Sequence, residues 1–265
     1  CCLSQSDERA REVIVARHFL EHLYNLPSFL ETVADAVQVG GYLFVEVPDC
    51  ESILEGDLGL LWEEHIHYFT QRSILLLMRH YGWSSRLLES ISVDGEEVIV
   101  GLFQLAPSGT KNRKLPAPPQ QELLKLERLL DVLASDELNN SIAEQMNGCE
   151  IALLGAGHET MTFLDLFWGS SKGVRIADDD PRKSGLFASR WQLPIETVHS
   201  ITETEVSGKY LVGINPHRAG PLLERLSTAG LDSRSYFLRD VLQEAYFRLN
   251  PGGSRIDVPP STVRT

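Results

Sequence analysis

Three stretches of the chain bring together side chains with chemistry to offer. Arg17-His18-Phe19-Leu20-Glu21-His22 sets two imidazoles about a carboxylate and spells H-x-x-E-H. In an inverzincin that spacing makes the two histidines zinc ligands and the glutamate the group that activates water. The pattern works only inside a stable helix. Here an apolar strand runs directly into it and Pro27 follows closely, so a capped turn with partly buried histidines competes with a zinc hydrolase built on His18, Glu21 and His22. The second stretch, Glu63-Glu64-His65-Ile66-His67, is either a polar loop or an acid-base pair, because histidine titrates near neutral pH. His65 and His67 have no further ligands nearby at a recognisable spacing, so no metal ligand is assigned. The third is Gly155-Ala156-Gly157 between a strand and a helix, with Asp178 lying 21 residues beyond Gly157. That spacing suits a dinucleotide fold, although Thr160 occupies the third glycine position. An NAD- or nucleotide-binding module therefore stays open as an alternative, and so does a structural turn without a ligand.

The elements that must position these residues follow from hydrophobic period. Glu12–Ala16 reads as a strand and about 27–37 as a helix, with Phe29, Leu30, Val33 and Val37 on one face and Gly40-Gly41 as its stop. Tyr42–Val47 is a mostly apolar run closed by Pro48-Asp49, the pattern of a strand buried on both faces of a parallel sheet. A helix over Gln71–Tyr81 faces the sheet through Ile74, Leu75, Leu77 and Met78. Ser85–Val93 and Glu97–Leu105 make an antiparallel edge pair about an Asp94-Gly95 turn.

Residues 106–119 hold four prolines among polar residues and mark a linker. Leu123, Leu126, Leu130 and Leu133 then recur at helical spacing within 120–146, as in a bridging helix or helix pair. A second α/β pattern follows, with strands at Cys149–Leu154, Gly173–Ala177, Lys209–Ile214 and Ser233–Leu238 and helices at Thr160–Trp168 and Pro221–Ala229. The expected domains are 1–106, a linker with bridging helices at 107–147, a second domain at 148–245 and a flexible tail at 246–265.

Composition narrows the partners. With 265 residues, 43% hydrophobic and 23% charged, the chain has material for two modest cores. A net charge of -13 disfavours nucleic acid and anionic lipid, which need clustered Lys and Arg, and favours a small-molecule substrate. No apolar run reaches membrane-spanning length, and Cys1-Cys2 lacks the flanks of a secretory signal, so a cytoplasmic protein with no membrane partner is expected. Cys1, Cys2, Cys50 and Cys149 form neither a disulfide framework nor a CxxC zinc pattern. The sequence opens without Met and reaches a strand within about a dozen residues, from which we expect a start inside a domain. Nothing in the sequence fixes the oligomeric state.

Arg17-His18-Phe19-Leu20-Glu21-His22-Leu23, Gly40-Gly41-Tyr42-Leu43-Phe44-Val45-Glu46-Val47-Pro48-Asp49 and Glu64-His65-Ile66-His67-Tyr68-Phe69-Thr70 together resemble the fourth strand, fifth strand and active-site loop of class I S-adenosylmethionine (SAM) dependent methyltransferases. The EVPD strand followed by E-H-x-x-Y-F-T is similar to the C-methyltransferases that act on nucleotide-linked sugars. Leu154-Gly155-Ala156-Gly157, Asp178–Gly185, Pro194-Ile195 and Asn215-Pro216 resemble their C-terminal domain. The resemblance implies an α/β fold class, with a partial class I methyltransferase sheet of Rossmann type followed by a second Rossmann-like domain. It implies His65 as the base, with Glu64 and His22 beside it. It places part of the SAM wall at Ala16, Arg17 and His18, and a nucleotide-sugar substrate against Gly155, Gly157 and His158. The glycine-rich SAM turn that such enzymes carry upstream is not found ahead of Glu12, and Leu61-Trp62-Glu63 stands where relatives have a tyrosine.

Overall fold

The computed structural model describes residues 11–62, 64–93, 96–107, 120–146, 148–168, 172–188, 190–204 and 206–250. The chain divides into two compact units, Cys1–Glu51 with Glu64–Pro119 and Ser52–Glu63 with Gln120–Thr265.

In the first unit, β1 (Arg11–Arg17), α1 (Leu26–Ala36) and β2 (Val37–Pro48) form a parallel crossover. α2 (Gln71–His80) follows, and then the antiparallel pair β3 (Trp83–Val93) and β4 (Glu96–Leu105). The sheet order is β1-β2-β4-β3, with β1 parallel to β2 and the remaining pairs antiparallel. The Asp94-Gly95 turn lies outside the described residues. α1 starts where Asn25 accepts the Ser28 N–H at 3.1 Å, with Pro27 in its first turn. α2 starts at a reciprocal Thr70–Ser73 capping box.

Two expectations change here. α1 ends at Ala36, not at the glycine pair, and Val37 already pairs with Arg11. Gly40-Gly41 instead lies inside β2, where the register jumps from Arg11↔Val37 to Val13↔Tyr42. Gly40 takes φ +83°, and a Cβ on Gly41 would sit 2.8 Å from the Glu12 carbonyl, so a glycine is required where the bulged strand passes β1. Nor is β2 buried on both faces. Leu43, Val45 and Val47 are fully buried with Leu30, Val33, Ile74 and Met78 in one core, while Tyr42, Phe44 and Glu46 are only half-buried. Both described helices of this unit contribute to that one core.

The second unit opens with a helix pair, α3 (Gln120–Ala134) and α4 (Asp136–Met146). Then come β5 (Ile151–Leu154), α5 (His158–Thr162) running into a π-helical turn at Phe163–Trp168, β6 (Val174–Asp178), β7 (Phe187–Ala188) and β8 (Leu193–Thr197). The unit closes with α6 (Val198–Glu203), β9 (Lys209–Val212), α7 (Gly220–Thr228), β10 (Ser235–Phe237) and α8 (Leu238–Leu249). The strand order β10-β9-β5-β6-β8-β7 is parallel except for the edge strand β7. Because β6 and β9 flank β5 on opposite sides, the order reverses beside β5, the point at which open α/β sheets leave a crevice. The architecture is compatible with a Rossmann-like fold. β7, β8, α6 and α8 have no counterpart in the sequence expectation. The expected loose tail lies largely outside the described residues.

Ser52–Glu63, expected within the first domain, groups with the second unit instead. The cause is local. The Asp57 carboxylate, 1% exposed, takes both prongs of the Arg239 guanidinium, and Lys125 pairs with Glu55 at 3.0 Å. No helix among the described residues is long and apolar enough to cross a membrane.

Candidate functional site

Parallel pairing brings the carboxyl ends of β1 and β2 into register, with Arg17 opposite Glu46. Arg17 therefore donates Nε and Nη2 to the two Glu46 oxygens, each at 2.8 Å. Those bonds, with the added attraction of His18 Nε2 at 3.2 Å, hold the Glu46 carboxyl below its ordinary range against a smaller effect of burial. Past β1 the chain turns sharply. His18 adopts φ +44° and bonds its N–H to the Glu46 carbonyl at 2.8 Å, and only Leu20–His22 form a single 3-10 turn. His18 and His22 are thus not set one turn apart on a helix, and the H-x-x-E-H zinc hydrolase alternative loses the geometry it requires.

The 3-10 turn instead anchors the second histidine loop. The Glu21 carbonyl accepts the N–H groups of Ile66 at 2.8 Å and His67 at 3.1 Å. His67 Nε2 donates to the Leu23 carbonyl at 2.8 Å, and His22 Nδ1 to the Glu64 carbonyl at 3.0 Å. These four bonds bring the His22 and His65 rings edge to face at 4.9 Å, with Tyr68 on the far side of His65 at 6.0 Å. The structure therefore brings His22, Glu64 and His65 together, and the backbone carbonyl of Glu64 makes the link to His22. Ala16, Arg17 and His18 stand at the end of β1. Ala16 is buried, and the Arg17 guanidinium is committed to Glu46.

Sequence reasoning gave Glu21 a chemical role only in the zinc pattern. Its side chain is 2% exposed, and neither carboxylate oxygen has a hydrogen-bond partner. Burial pushes its carboxyl upward, partly offset by nearby backbone N–H groups that fall short of hydrogen bonds and by His22 and His18. His18 Nδ1 at 3.6 Å and His22 Nε2 at 3.9 Å approach the same oxygen, Oε1. Glu21, His22 and His65 offer ligand atoms within 4.8 Å of one another. The signal available in the sequence was the L-E-H triplet directly after a strand, which gives no sign that the carboxylate is buried.

In the second unit, Gly155 takes φ +99° with Ile214 and the Gly213 carbonyl against the place of a side chain, whereas Gly157 faces open space. Asp178, the residue expected to meet a ribose, accepts the Ala156 N–H at 2.7 Å, the Asp180 N–H at 2.8 Å and Lys183 Nζ at 2.9 Å. With both oxygens engaged inside the fold, it is not presented as a dinucleotide's acceptor. His158 packs against Trp62 with ring centroids 4.7 Å apart and the ring planes tilted by 32°. Trp62 was noted in the sequence only as a departure from tyrosine, and this aromatic pairing was not anticipated.

A family model described as "Methyltransferase domain" matches residues 5–87, which include β1, α1, β2, both histidine segments and α2. No curated protein matches the chain. The similarity of this segment to methyltransferase domains supports an enzyme that transfers methyl groups, a class that generally takes SAM.

Proposed function

We propose that the chain belongs to a SAM-dependent C-methyltransferase acting on a nucleotide-linked sugar or a related small molecule. Methylating a carbon beside a ketone requires a base to remove a carbon-bound proton and a polar group to steady the resulting enolate. His65 is assigned the base role, with His22 and Glu64 positioning it. The observation that carries this reading is the fastening of the Glu64–His67 loop, by the Ile66 and His67 N–H groups to the Glu21 carbonyl and by the His67 ring to the Leu23 carbonyl. It sets the His65 and His22 rings 4.9 Å apart beside a buried carboxylate, in the segment that matches a methyltransferase domain.

In the second unit, Gly155, Gly157 and His158 are assigned to the nucleotide part of the substrate. The neighbouring Trp62 and His158 rings support that assignment, because aromatic faces suit a planar base. SAM fits less fully. Ala16, Arg17 and His18 would form one wall of its pocket, yet Ala16 offers no polar side chain and Arg17 is held by Glu46. Among the described residues of the first unit no glycine-rich strand-to-helix turn is present.

The test uses the full-length protein: calorimetric titration with SAM, then transfer of labelled methyl to nucleotide-linked keto sugars. His65→Ala is expected to lower turnover by about 10²–10⁴-fold, the contribution of general base catalysis. Wild-type turnover in that variant removes the base assignment, and no heat with SAM removes the methyltransferase reading.

A further inference from the structure

We propose that Glu21, His22 and His65 form a three-ligand site for a divalent cation of the zinc class. Their ligand atoms lie within 4.8 Å of one another, one carboxylate oxygen and two imidazole nitrogens, in the first unit alone. Imidazole with carboxylate selects d-block ions over magnesium or calcium, which prefer all-oxygen shells.

A second observation stands apart from that proximity. The Glu21 side chain is buried, and both its oxygens lack a hydrogen-bond partner. A carboxylate withdrawn from water without a hydrogen bond of its own is costly, and buried charges are ordinarily paired or bound to a metal. The imidazoles of His18 and His22 approach Oε1 only at 3.6 and 3.9 Å, beyond hydrogen-bond reach. A cation between the groups would satisfy the carboxylate where an imidazole proton does not.

The His22 ring is oriented for this role. Its Nδ1 faces the Glu64 carbonyl at 3.0 Å and can only donate there, so in the neutral ring the lone pair resides on Nε2, the nitrogen that faces Glu21. A ring N–H given to a backbone carbonyl is the usual outer-shell support of a metal-bound histidine. Two ligands about 2.1 Å from one tetrahedral ion stand roughly 3.4 Å apart. The 3.9 Å between His22 Nε2 and Glu21 Oε1 is therefore closed by a small side-chain rotation. The backbone need not move, since the loop carrying His65 is already fastened to the Glu21 carbonyl. Three protein ligands leave a further position for water or a substrate oxygen.

This site goes beyond methyl transfer. An ion on His65 occupies the imidazole assigned to the proton, so metal loading and proton removal exclude one another. The test is cobalt(II) and zinc titration of metal-stripped full-length protein, read by visible absorption and calorimetry. One equivalent is expected. Glu21→Gln and His65→Ala should each weaken it by more than roughly 100-fold, the upper end of what loss of an outer-shell partner costs. His199→Ala, in an exposed imidazole paired with Glu203, should leave uptake unchanged. X-ray absorption at the zinc edge of the wild-type protein gives a reading that needs no variant, and two imidazoles in the shell are expected. No saturable one-equivalent uptake, uptake unaltered by both ligand variants, or a shell without imidazole each overturns the site. Lost methyl transfer with metal uptake intact in His65→Ala rejects the site and keeps the base. Lost uptake with methyl transfer intact does the reverse.

Discussion

Asp57 and Arg239 meet as a two-pronged ion pair across most of the chain's length, with Nε to Oδ1 at 2.8 Å and the carboxylate only 1% exposed. This pair helps hold 52–62 within the second unit. Gly56 at φ +98° lies against the Tyr246 ring, where no side chain would fit. Removing one partner of a buried pair strands the other charge, at about 3–5 kcal/mol. Arg239→Ala should therefore lower stability by that amount in urea unfolding, and Asp57→Asn with Arg239→Met together should cost less than Arg239→Ala alone. Equal losses would mean that the pair is not what fixes the segment.

The way this segment is held explains much of what the sequence did and did not disclose. The β1-α1-β2 crossover and the β3-β4 pair were legible because their side chains repeat at the periods of helix and strand. Nothing local in 52–62 reveals that Asp57 has its partner at Arg239. α8 was hidden for another reason: it begins at Leu238 directly from β10, with Phe237 at its N-cap and no side-chain cap, so the usual start signal is missing. At the candidate site the residue types were visible and their geometry was not. The H-x-x-E-H spacing suggested a helix, and the left-handed His18 rules it out. Charge patterning gave no reason to expect Glu21 inside the core, because a carboxylate is ordinarily read as exposed.

His67 should act by holding the loop. Its Nε2 donates to the Leu23 carbonyl at 2.8 Å, so His67→Ala leaves that carbonyl unpaired at a cost of about 1–3 kcal/mol. Methyl transfer should fall with little change in the pH profile, since His65, the proposed base, remains. His67→Gln, which keeps a donor, should recover part of the loss. A shifted pH profile in His67→Ala would assign the ring a proton role instead.

The cysteines should separate by reactivity. Burial pushes the Cys50 thiol up to about 12, while Cys149 is exposed. At pH 8 the Cys50 thiolate is then about 1 part in 10⁴, and the thiolate is the reacting form. Iodoacetamide should label Cys149 in the folded protein and reach Cys50 only after denaturation, as read by peptide mass spectrometry. Matching rates for the two in the folded state would contradict the burial of Cys50.

Asp178 should make the second unit sensitive to acid. Burial alone would raise its carboxyl above the usual 3.8, but bonds from the Asp180 N–H, Lys183 and the Ala156 N–H outweigh that and hold it lower. A carboxyl depressed in the folded state contributes stability that is complete above its unfolded value and is lost as pH falls through the folded one. Asp178→Asn should thus be less stable than wild type at pH 7 by about 1.5–3 kcal/mol, the range for hydrogen bonds to a charged group. The difference should shrink as pH drops below about 3.8, where the carboxyl takes up its proton in the unfolded chain and then in the folded one. Urea midpoints of both proteins between pH 7 and pH 3 measure this directly. A gap that stays constant across that range would mean that the Asp178 carboxylate charge adds nothing to the turn at Gly155-Ala156-Gly157.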